Sequence, residues 1–251
     1  MGDSEQNYYG SLCTEMYEIL NEKAPQDELD FYLSYAKKEM RIFEPLCGSG
    51  RFLVPFLERG YDICGMDLST EMLSKLREKA PNARAYQSNI LTYSTDKKYD
   101  YIFIASGSMS LFTDMKVCKR VLLKIKSLLQ PNGVFVFALD TVKSKYPDDN
   151  DYVISAEGKT KEGLRLVLKT KHYYDEESQT QFAPGIYELY DNNGLIQSEA
   201  MDFQTHLYKL SEMEQYLKET GFTSIKVYSS FAKDTNINDE CEMLVFECKA
   251  D

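Results

Sequence analysis

Length, composition and charge exclude several classes of protein. The chain has 251 residues, of which 43% are hydrophobic and 27% are charged, as is typical of one large globular domain with a buried core. Its formal net charge of −11 argues against nucleic acid as a partner, because binding phosphates usually requires clustered Lys and Arg. The longest apolar run, residues 134–139, is far shorter than the ~20 residues that a membrane helix needs.

The amino terminus and the cysteines indicate a cytoplasmic protein. The start, MGDSEQNYYG, has acids where a secretory signal needs basic and then apolar residues. The six cysteines form no CxxC pair and only two histidines accompany them, so we expect no metal site. We therefore expect a soluble cytoplasmic protein with no membrane partner, either a monomer or a homodimer.

Helices and short apolar runs alternate along the first two thirds of the chain. Two helices are predicted first, over residues 12–20 and 28–38. The order thereafter is RIFEPL, residues 50–59, YDICGMD, residues 70–79, ARAYQSN, YDYIFIA, residues 114–129 and GVFVFALD. Strands that alternate with amphipathic helices predict βαβ units and a mostly parallel sheet covered on both faces. Residues 1–38 would form a helical lid.

The loop after the first strand carries the first functional signal. Glu44 stands at the strand end, and Gly48 and Gly50 follow before the next helix. Glycines let the backbone turn sharply and approach a ligand closely. A dinucleotide site would need a third glycine at position 53, which is Leu53. An acid at this strand end repels a pyrophosphate and attracts an ammonium group, so the loop favours a ligand that carries an amino group.

A second acid ends the next strand. Asp67 lies 67 − 44 = 23 positions after Glu44, immediately before a helix that Ser69 and Thr70 can cap. In open α/β sheets, ligands bind at the carboxyl ends of the strands. A carboxylate there can accept hydrogen bonds from both hydroxyls of a ribose. Loop and acid together predict an adenosine ligand.

The pattern changes after Asp140. Residues 164–174, GIYELY and LIQSEAMDFQTHLY, the last two joined by DNNG, predict a three-stranded antiparallel insert. A helix over residues 211–220 and the strands FTSIKVYSS and ECEMLVFECK then complete the sheet. We therefore predict one domain, with a lid (1–38), a core (39–145 and 207–251) and a β insert (146–206).

Four segments resemble the class I S-adenosylmethionine-dependent methyltransferases, in particular the small bacterial type with an antiparallel insert after the fifth core strand. They are EPLCGSGRF, GMDLSTEML, QSNI and LLQPNGVFVFALD, and the resemblance covers nearly the whole chain. It implies S-adenosyl-L-methionine as the cofactor. It also implies an α/β fold with a Rossmann-like, seven-stranded, mostly parallel sheet, helices on both faces, an N-terminal helical lid and a small antiparallel insert.

The resemblance further implies which residues bind the cofactor. By position, the loop glycines admit the methionine portion, Asp67 holds the ribose and Leu68 packs on the adenine ring. Asn89 replaces the usual Asp of the family and can accept the adenine amino group through its carbonyl. Ala105 and Ser106 border the sulfonium. The full implied set is Tyr9, Tyr17, Glu44, Cys47, Gly48, Gly50, Asp67, Leu68, Asn89, Ile90, Ala105 and Ser106.

The acceptor side is less defined. A general base is needed only if the acceptor must lose a proton, and His172 and His206 are the candidates because they are the only histidines. Both could instead be polar residues on the solvent side of the sheet. Five tyrosines of the insert region could bind a planar or cationic acceptor, or reflect strand propensity alone: Tyr173, Tyr174, Tyr187, Tyr190 and Tyr208.

We predict from these features a methyltransferase that acts on the nitrogen or oxygen of a small molecule. Three alternatives remain at this point. The chain could be a non-catalytic partner or sensor that binds the same cofactor, a methyltransferase of proteins, or a nicotinamide-dependent oxidoreductase. Leu53 in place of a third glycine argues against the last of these.

Overall fold

The computed structural model describes residues 6–250, so the first residues of the acidic start lie outside it. The helices are α1 Ser11–Leu20, α2 Gln26–Leu33, α3 Leu53–Glu58, α4 Thr70–Lys79, α5 Met115–Leu128 and α6 Glu212–Glu219. The strands are β1 Arg41–Pro45, β2 Asp62–Asp67, β3 Ala85–Gln87, β4 Tyr99–Ile104, β5 Leu129–Asp140, β6 Val153–Lys159, β7 Arg165–Thr170, β8 Tyr173–Asp175, β9 Thr180–Phe182, β10 Gly185–Asp191, β11 Gly194–Met201, β12 Gln204–His206, β13 Thr223–Tyr228 and β14 Met243–Lys249.

The central sheet has seven strands in the order β13-β14-β5-β4-β1-β2-β3. Within this order, the neighbouring strands β5, β4, β1, β2 and β3 all pair in parallel. Strand β14 is antiparallel to both β5 and β13. Apolar side chains pack on both faces, with Phe43 and Phe137 on one and Tyr101 and Phe103 on the other. The predicted mostly parallel, Rossmann-like sheet is therefore confirmed.

Helix α4 illustrates how local sequence sets the edge on which ligands bind. The Oγ of Ser69 accepts a hydrogen bond from the backbone N–H of Met72 at 3.0 Å and caps the helix. Leu73 and Leu76 are fully buried one turn apart and hold the helix on the sheet. The chain therefore turns directly after Asp67, which stays at the carboxyl end of β2.

The antiparallel insert between β5 and α6 is present but larger than predicted. Seven strands replace the predicted three, in the sheets β11-β10-β7-β6 and β12-β9-β8. Strand β6 is mostly exposed at the edge of its sheet, and its half-buried residues, Ala156 and Gly158, are small, so its apolar alternation is weak. The predicted strand over residues 164–174 breaks after Thr170 and continues in the other sheet as β8.

The amino-terminal helices join the insert to the core. Leu12 and Met16 of α1 are buried in one cluster with Leu166 and Tyr187 of the insert. The first turn of α1 has no side-chain cap of its own. The Glu199 carboxylate accepts hydrogen bonds from the N–H groups of Leu12 and Cys13 at 3.0 Å instead. Helix α2 ends at Leu33 and not at residue 38.

Within residues 6–250, no helix combines the length and the apolar character that crossing a bilayer requires.

Candidate cofactor and acceptor site

A cavity of about 720 Å³ lies at the carboxyl ends of β1, β2, β4 and β5, and we call it the first chamber. It is of the size usual for small-molecule and cofactor sites. The predicted residues that line it are Tyr9, Tyr17, Gly48, Asp67, Leu68, Asn89, Ile90 and Ser106. Other lining residues include Asn7, Asn21, Arg51, Gly107, Asp114, Asp140, Phe203 and Thr205.

Asp67 is held rigidly at the end of β2. Its Oδ2 accepts a hydrogen bond from the N–H of Gly48 at 2.7 Å, and its Oδ1 accepts one from the N–H of Ser69 at 2.9 Å. Burial raises the pKa of Asp67, and these two backbone hydrogen bonds oppose that rise. The carboxylate therefore ties the glycine loop to the second strand and still faces the chamber.

The glycine loop depends on backbone conformations that side chains disfavour. Gly48 and Gly50 have φ angles of +51° and +81°, which only glycine adopts without strain. A Cβ on Gly50 would overlap the Cδ1 of Leu76 in α4, so this glycine also allows close packing of loop and helix. Gly50 does not line the first chamber itself, but it sets the path of the loop that does.

Two ionisable side chains near the loop, the buried Glu44 and the half-buried Arg51, have only part of their hydrogen-bonding groups satisfied. Within the described residues, the Oε2 of Glu44 and the Nε of Arg51 have no hydrogen-bond partner. The Nη1 of Arg51 donates to Asn21 Oδ1 at 2.6 Å, and its Nη2 donates to Ser106 Oγ. Glu44 is 3% exposed, and burial, followed by the nearby Asp67, raises its pKa well above the ordinary value. Buried polar groups normally have partners, so a ligand with both an anionic and a cationic group would complement this pair.

The other end of the chamber is apolar and open. Leu68 is 51% exposed although it is a large hydrophobic residue, whereas Ile90 is buried. The Oδ1 of Asn89 accepts a hydrogen bond from the N–H of Leu91 at 2.9 Å, which fixes the turn that Ile90 belongs to. An exposed leucine beside a fixed polar turn matches a flat heterocycle with hydrogen-bonding edges.

Tyr9 and Tyr17 stand over the chamber from the amino-terminal segment. Their rings meet edge to face with centroids 5.9 Å apart. The backbone carbonyl of Tyr9 accepts a hydrogen bond from Ser69 Oγ at 2.6 Å, so the segment is tied to the start of α4. Burial raises the pKa of Tyr17 to about 12, so its hydroxyl stays protonated at neutral pH and can donate hydrogen bonds.

A second cavity of about 510 Å³, which we call the second chamber, lies between α1 and the insert. Tyr9, Tyr17, Asn21, Phe203 and Thr205 line both chambers and form their common boundary. Apart from these, the second chamber is lined by Cys13, Met16, Leu20, Tyr146, Ser155, Leu168, Thr170, His172, Gln181, Ala183, Tyr187 and Met201. The two chambers are therefore neighbours across a shared wall.

The two histidines occupy different environments. His172 lines the second chamber, where its Nδ1 lies 2.9 Å from Asp149 Oδ2 and its ring stacks on Tyr146. His206 lines neither chamber. It is 3% exposed, and its ring nitrogens lie 3.1 Å from the Ser178 carbonyl and 3.0 Å from Glu212 Oε1.

Some of the predicted site residues lie outside the chambers. Glu44, Cys47, Gly50, Ala105 and His206 do not line either chamber. Glu44, Cys47, Gly50 and Ala105 lie close in sequence to lining residues and do not line the chamber themselves. The engagement of His206 with Ser178 and Glu212 removes it from the site, so its prediction as a general base is corrected.

Sequence reasoning missed several polar residues of the first chamber, among them Asn21, Arg51 and Asp140. Asp140 carried a usable signal, because it ends an apolar strand at the carboxyl edge just as Asp67 does. Arg51 follows the glycine loop directly. Asn21 ends α1 and had no signal, since its position depends on how the lid packs.

Comparisons with known proteins relate the chain to methyltransferases. A model of the methyltransferase domain matches residues 42–133, which include the glycine loop and Asp67. A candidate methyltransferase of Geobacillus sp. (strain WCH70) is 22% identical over 248 residues, which cover 93% of this chain and 96% of that protein.

Solved structures share the fold over the whole chain. An S-adenosylmethionine-dependent methyltransferase from Clostridium acetobutylicum superposes with a TM-score of 0.76 at 15% identity, over 93% of this chain and 96% of that one. Residues 42–133 thus match the methyltransferase domain, and the chain as a whole has the fold of S-adenosylmethionine-dependent methyltransferases. The sugar N-methyltransferase KedS8 from Streptoalloteichus sp. has the same fold as this methyltransferase, with a TM-score of 0.73 at 16% identity over 98% and 94% of the chains.

The cofactor of the methyltransferase is S-adenosylmethionine, as its sequence predicts. The residues present fit this molecule. Its methionine end carries a carboxylate, which complements Arg51, a partly unpaired cation that lines the first chamber. The nicotinamide alternative is wrong, because the family model and the relatives are methyltransferases.

Proposed function

We propose that this methyltransferase transfers a methyl group to the nitrogen or oxygen of a small molecule bound in the second chamber. The observation that carries the proposal is the shared wall of the two chambers, formed by Tyr9, Tyr17, Asn21, Phe203 and Thr205. A donor in one chamber and an acceptor in the other would meet at that wall. The size of the second chamber, about 510 Å³ between α1 and the insert, favours a small acceptor over a protein segment.

The first chamber would hold the cofactor in one orientation. Arg51 would bind its amino-acid end, Asp67 its ribose hydroxyls, and Leu68 with Asn89 its adenine. When bound, S-adenosylmethionine supplies a methyl group activated by the positive charge on sulfur. The protein then needs mainly to hold the acceptor about 3 Å from that methyl and to exclude water, which can supply several kcal/mol.

Polar groups in the second chamber support an acceptor with hydrogen-bonding substituents. The Oγ1 of Thr170 is buried and has no hydrogen-bond partner within the described residues. His172, oriented by Asp149, lines the same chamber and is the remaining histidine candidate for a general base. Fold similarity to a sugar N-methyltransferase is consistent with an acceptor of this size.

Narrowing the second chamber tests the proposal. Ala183 lines this chamber only, so Ala183→Leu should remove turnover of the acceptor while S-adenosylhomocysteine still binds. The assay measures S-adenosylhomocysteine release against a metabolite library and against a protein extract freed of small molecules. Ala232→Leu, on an exposed segment, is the control. Turnover of protein but not of metabolites would refute a small-molecule acceptor.

The ribose assignment gives a separate prediction. Asp67→Ala should weaken S-adenosylhomocysteine binding by at least ~1.5 kcal/mol, because it removes charge-assisted bonds to ribose and the anchor of the Gly48 N–H. Isothermal titration calorimetry measures the affinity. Asp96→Ala, at an exposed position before β4, serves as the control. Unchanged affinity of Asp67→Ala would show that this carboxylate does not hold the ribose.

A further inference from the structure

Asp140 occupies a distinctive place in the first chamber. It is the last residue of β5, and β5 pairs in parallel with β4, whose end leads into Ser106. Neighbouring strands lie about 4.8 Å apart, so Asp140 is one strand further from Asp67 than Ser106 is. A Cβ built on Gly107 would lie 3.4 Å from Asp140 Oδ2, which places the carboxylate directly beside the turn after β4.

The main chain of Asp140 is fixed, whereas its carboxylate is free. Its N–H donates to Ser110 Oγ at 3.0 Å, and its carbonyl accepts from the N–H of Tyr208 at 2.9 Å. Within the described residues, no hydrogen bond or ion pair to the carboxylate is found. This differs from Asp67 and Asp114, whose carboxylates each accept two backbone N–H groups.

The charges around Asp140 leave it uncompensated. Among the described residues that line the first chamber, Arg51 is the cation, and Asp67, Asp114 and Asp140 are the anions. Arg51 is already bound to Asn21 and Ser106. Burial raises the pKa of Asp140 to about 6, and no neighbouring charge opposes this effect. A half-buried carboxylate with no partner costs stability, so a ligand is expected to supply the missing cation.

We propose that the acceptor is an amine whose nitrogen reaches from the second chamber into the first, and that the Asp140 carboxylate there binds its N–H groups and takes up its proton. This inference rests on the proposed function and narrows its acceptor to nitrogen. It makes Asp140 a catalytic residue, because the carboxylate would touch the reacting nitrogen.

The proposed methyl transfer balances in atoms and charge with Asp140 as the only proton acceptor. The nitrogen lone pair attacks the methyl carbon and forms the N–C bond, while the C–S bond breaks and its electron pair goes to sulfur. The positive charge thus passes from sulfur to nitrogen. Before this attack, the bound ammonium loses one N–H proton to a carboxylate oxygen of Asp140, from where it passes to solvent, and this frees the lone pair; the methylated ammonium is the product.

The charge that the reacting atom of the acceptor must carry favours a nitrogen acceptor over an oxygen acceptor. An alcohol or phenol must first lose its proton and become an anion to react efficiently, and an unpaired carboxylate beside it would oppose that negative charge. An amine develops positive charge, which the same carboxylate stabilises. In a partly dehydrated chamber the two cases differ more than they would in water.

Matched amines and alcohols test the inference. Full-length wild type and Asp140→Asn are incubated with S-adenosylmethionine and either methylamine, methanol, benzylamine or benzyl alcohol, and methylated products are measured by mass spectrometry. We expect the wild type to methylate amines and not the paired alcohols, and Asp140→Asn to lower kcat/KM for the amine at least 100-fold. Asp96→Asn makes the same charge change outside the chambers and should match the wild type within twofold.

A binding measurement accompanies the assay. The carboxyl carbon of Asp140 is identified by ¹³C NMR as the aspartate signal missing from Asp140→Asn. With S-adenosylhomocysteine bound, methylammonium should lower its titration midpoint and methanol should not. The inference is overturned by unaltered amine turnover in Asp140→Asn, by ethers as the main products, or by no amine product above the uncatalysed rate. If S-adenosylhomocysteine itself fails to bind the wild type, the proposed function fails instead.

Discussion

At the scale of single residues, Gly50 shows what the cofactor loop requires of the backbone. Its φ of +81° strains any other residue, and a Cβ would also collide with Leu76 of α4. Gly163 has almost the same φ, +82°, but no atom within 4 Å of its Cβ position. The two glycines therefore separate backbone strain from crowding.

We expect Gly50→Ala to lower the free energy of unfolding by about 2–4 kcal/mol, as strain adds to overpacking. Gly163→Ala should cost only about 1 kcal/mol, because strain acts alone there. Urea unfolding of both variants measures the difference. Equal losses would mean that Leu76 moves aside without cost.

Asp140 has a pH-dependent effect on stability that does not require a substrate. Its pKa is about 6 in the folded chain and about 3.9 in an unfolded one. The folded state therefore binds more protons between these values, and stability falls as the pH rises from about 4 through about 6. Asp140→Asn removes this loss.

The variant should accordingly be more stable than the wild type at pH 7.5 by about 1–2 kcal/mol. A pKa that differs by one between the folded and unfolded chains corresponds to about 1.36 kcal/mol, and solvent screening reduces this value. At pH 4 the two proteins should unfold alike. Urea unfolding at both pH values measures this. A less stable variant at pH 7.5 would show that the carboxylate has a stabilising partner in the folded chain.

At the scale of elements, His206 of β12 connects the insert to α6. Burial acts to raise the pKa of Glu212, but hydrogen bonds from His206, the N–H of Lys209, Gln179 and Tyr216 lower it to about 2. The pair is well buried, with side-chain exposures of 4% and 14%. His172 and Asp149 form a comparable but more exposed pair, at 23% and 27%.

Removing the buried ring should cost more than removing the exposed one. His206→Ala leaves Glu212 buried without its main partner, and we expect a loss of about 3 kcal/mol in unfolding free energy. His172→Ala should lose less than ~1 kcal/mol. Urea unfolding gives both values, and calorimetry should show that S-adenosylhomocysteine affinity is retained in His206→Ala. A loss of cofactor affinity would place β12 in the cofactor site.

How well each element could be predicted follows its burial. Helix α4 has its predicted range. Its cap, Ser69, and its buried apolar face could both be recognised from the sequence. The sheet edge that binds the cofactor could be predicted equally well, because its glycines and the acid at the strand end are recognised from local sequence. Strand β6 was missed because exposed edge strands need no apolar pattern. The role of Asn21 and the isolation of His206 depend on how distant elements pack, which one sequence does not encode locally.

At the scale of the whole molecule, residues 7–9 connect lid, core and insert across the chambers. The Nδ2 of Asn7 donates to the carbonyls of Leu111 in the core and Gln204 in the insert, at 3.1 and 2.9 Å. Its Oδ1 accepts from the N–H of Gln204 at 2.8 Å. Two residues further on, the Tyr9 carbonyl binds Ser69 at the start of α4. This segment therefore closes the first chamber by joining parts of the chain far apart in sequence.

Asn7→Ala should loosen that closure. The substitution removes three side-chain hydrogen bonds, each worth about 0.5–1.5 kcal/mol. These bonds hold the segment that closes the first chamber over a bound cofactor. We expect the dissociation rate of S-adenosylhomocysteine to rise about tenfold, equivalent to about 1.4 kcal/mol, as measured by stopped-flow fluorescence. Asn82→Ala, at an exposed position, is the control. If dissociation is unchanged while the chain becomes less stable, Asn7 holds the fold together and does not retain the cofactor.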